Sequence, residues 1–233
     1  MFYGFDPTII VLIPAIIFTA YAQHKVKHAY AVYSRVPTKK HITGHQAARM
    51  ILDSNGMGHV PIEVIPGDLT DNYDPTKDEM HLSQGTNNNT SIASVAVAAH
   101  ESGHAIQDGT NYGFLKIRVG MVPVVNLVSA LSWPIILVGL VLVFAGQQLG
   151  GLIFDIGVIM FAVVVLFHTV TLPVEFDASK RALKQLVALD ILDETEVKGA
   201  RKVLSAAALT YVAALASSLL TLVRILLVRG NSN

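Results

Sequence analysis

The segment at residues 98–107 contains the clearest chemical signature in the chain. It reads Ala-Ala-His-Glu-Ser-Gly-His-Ala-Ile-Gln, so His100 and His104 are four residues apart and Glu101 follows the first of them. On an α-helix, positions i and i+4 lie on one face, so both imidazoles can bind one Zn²⁺ while the carboxylate sits beside the open coordination position. The pattern predicts a catalytic zinc ion bound by His100 and His104, with Glu101 as the general base.

A catalytic zinc ion of this type needs a third protein ligand. Glu175 follows the third apolar stretch, at the start of a predicted helix, and two membrane crossings return it to the side of the histidine pair. Asp177 is an alternative ligand, although it could equally pair with Arg181 one helical turn later. His168 lies inside the apolar stretch, where we expect it to support a ligand or to pack rather than to bind the metal.

The composition is that of a chain that lies partly in lipid. Of its 233 residues, 52% are hydrophobic and only 15% are charged. The absence of cysteine excludes thiol catalysis, disulfides and cysteine zinc sites, and a formal net charge of zero gives no reason to expect nucleic-acid binding. Four apolar stretches are long enough to cross a bilayer.

These stretches predict a mainly α fold, a four-helix transmembrane bundle with a small α+β zincin-like domain inserted between the first and second spans. Residues 1–23 form a transmembrane anchor, 24–118 the catalytic domain, and 119–233 transmembrane helices 2–4 with the third-ligand segment at 173–189. The second apolar stretch carries Pro123, Asn126 and Pro134, and the crossing is expected near 129–145, after a kinked or interfacial entry.

Within the catalytic domain, the pattern predicts a helix, two short strands and then the histidine helix. The helix covers residues 43–55 and the strands cover 60–65 and 79–83, separated by a turn-rich segment. We expect the outer strand, near residues 80–83, to pair with an extended peptide substrate.

The distribution of basic residues predicts the orientation. Residues 24–118 hold nine Lys and Arg, residues 176–202 hold six, and the turn at 146–150 holds none. By the positive-inside rule, both charged regions lie in the cytoplasm. The chain is therefore expected to be a multi-pass protein of the cell membrane with a cytoplasmic catalytic domain.

Several long motifs resemble the family of YugP-like membrane-bound "putative neutral zinc metallopeptidases", over nearly the whole chain. They are Gln-His-Lys-Val-Lys (23–27), Asp-Asn-Tyr-Asp-Pro (71–75), His-Leu-Ser (81–83), the His-Glu-x-x-His segment (98–107), Leu-Pro-Val-Glu-Phe-Asp-Ala-Ser (172–179) and Ala-Ala-Ala-Leu-Thr-Tyr-Val-Ala (206–213). A looser likeness links the chain to the HtpX and CAAX prenyl protease groups, whose third ligand is a Glu after a transmembrane helix. That likeness implies that Glu175 is the ligand, and Ser179 stands where those groups have Asp.

Together these patterns predict an integral membrane zinc endopeptidase that hydrolyses peptide bonds with a metal-activated water. Tyr73, His81 and Arg181 are the side chains that could stabilise the oxyanion. Its substrates would be peptides or proteins, with membrane or misfolded proteins favoured by proximity to the bilayer. Two alternatives are a non-catalytic membrane scaffold stabilised by zinc and an intramembrane protease, which would need the histidine helix inside a span.

Overall fold

Long α-helices form most of residues 7–230, which are the part of the chain described by the computed structural model. A 3₁₀ segment at Pro7–Leu12 leads into the first helix, and Asp6, the single charge expected in the first apolar stretch, lies outside the described residues. The helices are α1 (Ile13–Tyr33), α2 (Gly44–Ser54), α3 (Gln84–Asn88), α4 (Ile92–Gly109), α5 (Gly113–Phe144), α6 (Gly150–Ala188) and α7 (Glu194–Gly230). The strands are β1 (Ile62–Ile65), β2 (Asn72–Asp74) and β3 (Glu79–Ser83).

Among the described residues, four helical segments are long and apolar enough to cross a membrane. They are Thr8–Tyr33, Gly113–Phe144, Leu149–Ala188 and Glu194–Gly230. Large apolar side chains on them are solvent-exposed, as for Val141 at 65% and Ile159 at 66%. The prediction of a mainly helical chain with four candidate membrane-spanning helices is therefore confirmed.

Helices α5 and α6 are continuous where the sequence pattern predicted interruptions. Pro123 and Pro134 both lie inside α5, and Pro173 lies inside α6. The predicted separate helix starting near residue 173 is therefore wrong, because the third apolar stretch and the segment carrying Glu175 form one helix. A proline removes one backbone hydrogen bond, and a long helix with many others tolerates this loss.

The chain divides into two compact units. The first unit contains residues 7–21, 117–171 and 211–230, and the second contains residues 22–116 and 172–210. In the first unit, α5 and α6 approach closely through Gly139, where an added Cβ would lie 2.4 Å from the Phe154 nitrogen. The helices α6 and α7 are joined there by the ion pair of Asp155 with Arg229.

The second unit is built on a hydrophobic core that α4 crosses. The core side chains come from α2, α4, the sheet, the end of α6 and the start of α7, and include Ile51, Met80, Val95 and Leu186, all fully buried. Helix α2 begins as the sequence predicts, because Thr43 and Gln46 form a reciprocal capping box. Helix α4 is capped by Ser91, whose hydroxyl accepts a hydrogen bond from the Ser94 N–H.

The sheet has three strands instead of the two that were predicted. β2 lies in the segment expected to contain only turns, and the strand order is β1-β3-β2. β3 pairs in parallel with β1 and antiparallel with β2, so it has no free edge. The prediction that a substrate pairs along residues 80–83 is therefore wrong, and the free edges belong to β1 and β2.

Candidate metal centre

His100 and His104 lie on one face of α4, as their spacing predicts. Their ring centroids are 4.7 Å apart, with the ring planes at 82°. Both side chains direct Nε2 toward the same carboxylate oxygen, Glu175 Oε2, at 3.2 Å from His100 and 3.6 Å from His104. The i and i+4 positions of one helix thus place two imidazoles around a single point.

Glu175 reaches this point from α6, which packs against α4. Its side chain is 2% exposed, and the side chains of His100 and His104 are 15% and 10% exposed. One donor atom from each of the three residues lies within 4.8 Å of the others. Ligands arranged tetrahedrally at about 2.0–2.1 Å from a zinc ion lie about 3.3 Å from one another, so the observed distances fit such an ion.

The Nδ1 atom of each imidazole, on the side away from Glu175, also has a hydrogen-bonding partner. His100 Nδ1 lies 3.2 Å from Ser179 Oγ, and His104 Nδ1 lies 3.0 Å from Gln107 Oε1. The Gln107 amide nitrogen donates to the Val174 carbonyl at 2.8 Å, which fixes its oxygen toward His104. His104 Nδ1 must then carry the proton, so its Nε2 presents a lone pair to the shared point.

Asp177, the alternative ligand, contacts Arg181 and Gln107 instead of the two histidines. Its Oδ2 accepts hydrogen bonds from Arg181 Nε at 2.5 Å and from Gln107 Nε2 at 2.9 Å. The pairing with Arg181 that the spacing allowed is therefore observed. Through Gln107, this ion pair is connected to His104.

Glu101 lies beside the histidine pair and is 8% exposed. Burial raises the pKa of its carboxyl to about 7, the Glu175 carboxylate acts in the same direction, and His100 opposes both. The backbone N–H of Tyr73 on β2 faces the Glu101 carboxylate and lowers its pKa in part. A buried carboxyl with a pKa near neutrality can take up and release a proton at physiological pH.

Gly103 permits the close approach of α4 and α6. A Cβ at this position would lie 2.4 Å from the Ala178 carbonyl oxygen, which is closer than real Cβ contacts come. Sequence reasoning treated this residue as an unspecified position of the motif. The contact of Gly103 with Ala178 and that of Gln107 with Val174 could not be predicted from the local sequence, because each joins residues about 70 positions apart.

The side chains considered for oxyanion stabilisation have other partners. The Tyr73 hydroxyl lies 2.7 Å from Asp78 Oδ1 and 3.0 Å from Asp108 Oδ2, and the Arg181 guanidinium is paired with Asp177. His168 belongs to the first unit and is outside the group of donor atoms described above.

His81 is part of a second group of possible metal donors, with Glu63 and Glu79 on the sheet. Its Nε2 lies 3.9 Å from Glu63 and 3.6 Å from Glu79, and the Glu63 side chain is 60% exposed. Exposed carboxylates are well solvated without a metal, so burial favours the group on α4 and α6 as the functional one.

Comparison with known proteins agrees with this chemistry. Residues 8–230 match the family described as "putative neutral zinc metallopeptidase". The chain is 42% identical over 221 residues to the "Putative membrane protease YugP" of Bacillus subtilis (strain 168), which covers 94% of this chain and 95% of that protein. No solved structure matches the chain. With the family match spanning nearly all of its residues, the chain belongs to the "putative neutral zinc metallopeptidase" family.

Proposed function

We propose that the protein is an integral membrane zinc endopeptidase whose ion is held by His100, His104 and Glu175. The observation that supports this most directly is the buried meeting of two Nε2 atoms and one carboxylate oxygen, with each imidazole held from its other side. Such a set of three ligands leaves a fourth coordination position for water, as in catalytic zinc sites of the His₂Glu type.

A bound zinc ion would polarise a peptide carbonyl and lower the pKa of a water molecule toward about 7. The Glu101 carboxylate is placed to take a proton from that water and to deliver it to the leaving amine nitrogen. The Tyr73 N–H on β2 faces this carboxylate and favours its charged form, the form that accepts the proton.

An extended substrate would lie along the free edge of β2. Met80 is paired with Tyr73 across β2 and β3, yet the Met80 N–H donates to the Pro61 carbonyl on the side of β1. The two residues therefore do not bond to each other, and the backbone polar groups of Tyr73 point away from β3. The Tyr73 carbonyl is left to accept a hydrogen bond from a peptide placed beside Glu101.

The proposed placement in the membrane is supported by the four apolar helices and by the distribution of the basic residues. We assign the catalytic, zincin-like domain to residues 24–118, between the first and second spans, and the third-ligand segment to residues 173–189, with both on the cytoplasmic side. Helix α4 is not one of the candidate spans among residues 7–230. This argues against an intramembrane protease and for peptide or protein substrates that approach from the aqueous side.

The test is zinc content and hydrolysis of unfolded casein, measured on the same detergent-purified samples. Glu175→Ala should lose one equivalent of zinc and all activity. Glu101→Gln should keep its zinc and lose activity by about 10²- to 10⁴-fold, because only the proton transfer is removed.

Asp177→Ala is the matched control on the same helix and should keep most of its zinc. Zinc lost from Asp177→Ala but kept in Glu175→Ala would move the third ligand to residue 177. Wild-type protein that binds zinc tightly without hydrolysing casein or membrane-protein fragments would support the scaffold alternative.

A further inference from the structure

The sheet of the second unit carries a row of polar side chains on the face opposite its core. Side chains alternate along β3, so that Met80 is buried in the core while Glu79 and His81 lie on the other face. His81 is in register with Glu63 of β1 on one side and with Asn72 of β2 on the other. The pairing of the three strands thus brings one imidazole, two carboxylates and one amide together.

The two carboxylates lie close to the same ring nitrogen. His81 Nε2 is 3.9 Å from Glu63 Oε2 and 3.6 Å from Glu79 Oε2, and one donor atom of each residue lies within 4.8 Å of the others. Within residues 7–230, neither carboxylate has a Lys or Arg within salt-bridge distance. Two negative charges therefore meet at His81 without a basic side chain to balance them.

The other ring nitrogen of His81 determines its tautomer. The Asn72 side-chain nitrogen donates to the Thr70 carbonyl at 3.0 Å, which turns the amide oxygen toward His81 Nδ1, 3.1 Å away. An amide oxygen only accepts, so Nδ1 carries a proton, and Nε2 of the neutral ring presents a lone pair to the carboxylates. Asn72 orients His81 in the way that Gln107 orients His104. Three electron-rich atoms then face one another, which is repulsive unless a positive charge lies between them.

The donor set indicates which cation fits this space. One imidazole nitrogen with two carboxylate oxygens suits zinc, whereas calcium and magnesium prefer oxygen ligands alone. Tetrahedral zinc ligands lie about 3.3 Å apart, so the oxygens of Glu63 and Glu79 need to approach Nε2 by about 0.6 and 0.3 Å. Their side chains are 60% and 29% exposed, which leaves room for this adjustment. The same exposure makes zinc binding weaker here than at the buried centre on α4 and α6.

We propose that Glu63, Glu79 and His81 bind a second zinc ion, which links β1 to β3 and stabilises the sheet. The site shares no ligand with the candidate centre of His100, His104 and Glu175, so binding there does not depend on catalysis. Asn72 connects the second ion to β2. The ion would thereby stiffen the strand along which the substrate is proposed to lie, a consequence that does rest on the proposed function.

The experiment is a zinc titration of the full chain in detergent, in competition with a chromophoric chelator. The chain carries His100→Ala with His104→Ala, which removes the first centre, and should bind one equivalent of zinc that raises its melting temperature. Adding Glu63→Gln should weaken binding about 100-fold, because loss of even an outer partner of a ligand costs about 10- to 100-fold. His59→Ala is the matched control and should leave binding unchanged, since His59 is an exposed histidine beside one carboxylate, that of Asp78.

Glu63→Gln in the otherwise native chain tests the site without disturbing the first centre, and zinc content should fall from two equivalents to one. Equal zinc affinity with and without Glu63→Gln would overturn the proposal, as would an equal loss in His59→Ala. Displacement of the zinc by an equal concentration of calcium or magnesium would also overturn it, by showing an unselective acidic surface.

The two zinc proposals fail in different ways. If only the first centre is wrong, the native chain binds one equivalent of zinc, which Glu63→Gln removes and Glu175→Ala does not. If only the second site is wrong, the native chain again binds one equivalent, which Glu175→Ala removes and Glu63→Gln does not.

Discussion

The two histidines are oriented by uncharged groups, Ser179 for His100 and Gln107 for His104. The nearest carboxylate on that side, Asp177, acts on His104 only through the Gln107 amide, which donates to it at 2.9 Å. A neutral acceptor fixes the tautomer and the ring angle while transferring less negative charge to the ring than a carboxylate would. Orientation of His104 therefore depends on one buried amide.

Replacement of Gln107 by Leu should weaken zinc binding by about 10- to 100-fold, because His104 loses the acceptor that holds its Nδ1 proton. The zinc dissociation constant, measured by competition with a chelator, checks this. Gln185→Leu is the control, since the Gln185 side chain donates to the exposed Asn55 side chain, away from the histidines. Equal zinc affinity in Gln107→Leu and wild type would show that ring packing alone orients His104.

The Tyr73 hydroxyl bridges Asp78 and Asp108, and its removal should destabilise the protein. Burial, with hydrogen bonds to the two carboxylates, raises the pKa of Tyr73 well above its ordinary value of 10.0. Above pH 10 the unfolded chain releases this proton while the folded chain keeps it, so stability falls as pH rises. Tyr73→Phe should melt at a lower temperature at pH 7, corresponding to about 1–2 kcal/mol, and should show a shallower decline above pH 10. Thermal melts followed by circular dichroism between pH 7 and 11 would contradict this if both proteins gave the same curve.

At the scale of elements, the pairing of α4 with α6 creates the centre. The helix containing His100 and His104, its N-terminal region and the strand at residues 79–83 could be predicted from local spacing and capping residues. β2 could not, because a three-residue strand in a turn-rich segment is defined by its partner β3 rather than by its own composition. The continuity of α6 through Pro173 could not be predicted either. Proline usually ends a helix, but a long helix with many other backbone hydrogen bonds can continue through one.

Gly103→Ala tests this pairing directly. The new Cβ would lie 2.4 Å from the backbone oxygen of Ala178, so the helices must separate, at a cost of about 1–3 kcal/mol, and Glu175 would move away from the histidines. We expect a lower melting temperature and weaker zinc binding. Gly120→Ala is the control, because a Cβ on this helical glycine would have no other heavy atom within 4 Å apart from its own helix backbone, so it should leave both unchanged or slightly improve stability. Normal zinc affinity in Gly103→Ala would show that the centre tolerates a wider spacing.

At the scale of the whole molecule, the charged residues are segregated along the chain. Fifteen of the 17 Lys and Arg lie in residues 24–118, which contain His100 and His104, and in residues 176–202, which directly follow Glu175, whereas the turn between α5 and α6 has none. In the proposed topology, this asymmetry places the two basic regions together on one side of the membrane. Two candidate spans separate His104 from Glu175, and two crossings would return the chain to the side from which it left, where residues about 70 positions apart can meet.

The chain has no cysteine, so single cysteines can report this topology without background labelling. In intact cells, a membrane-impermeant maleimide should label Gln148→Cys in the α5–α6 turn and should leave Lys77→Cys and Lys198→Cys unlabelled until the membrane is opened. All three positions are exposed on the protein surface, so a lack of labelling reports the membrane rather than burial. The reverse pattern would place the metal centre outside the cell. Labelling of Gln148→Cys and Lys77→Cys from the same side would mean that α5 does not cross, and the return of Glu175 to the histidine pair would then need another path.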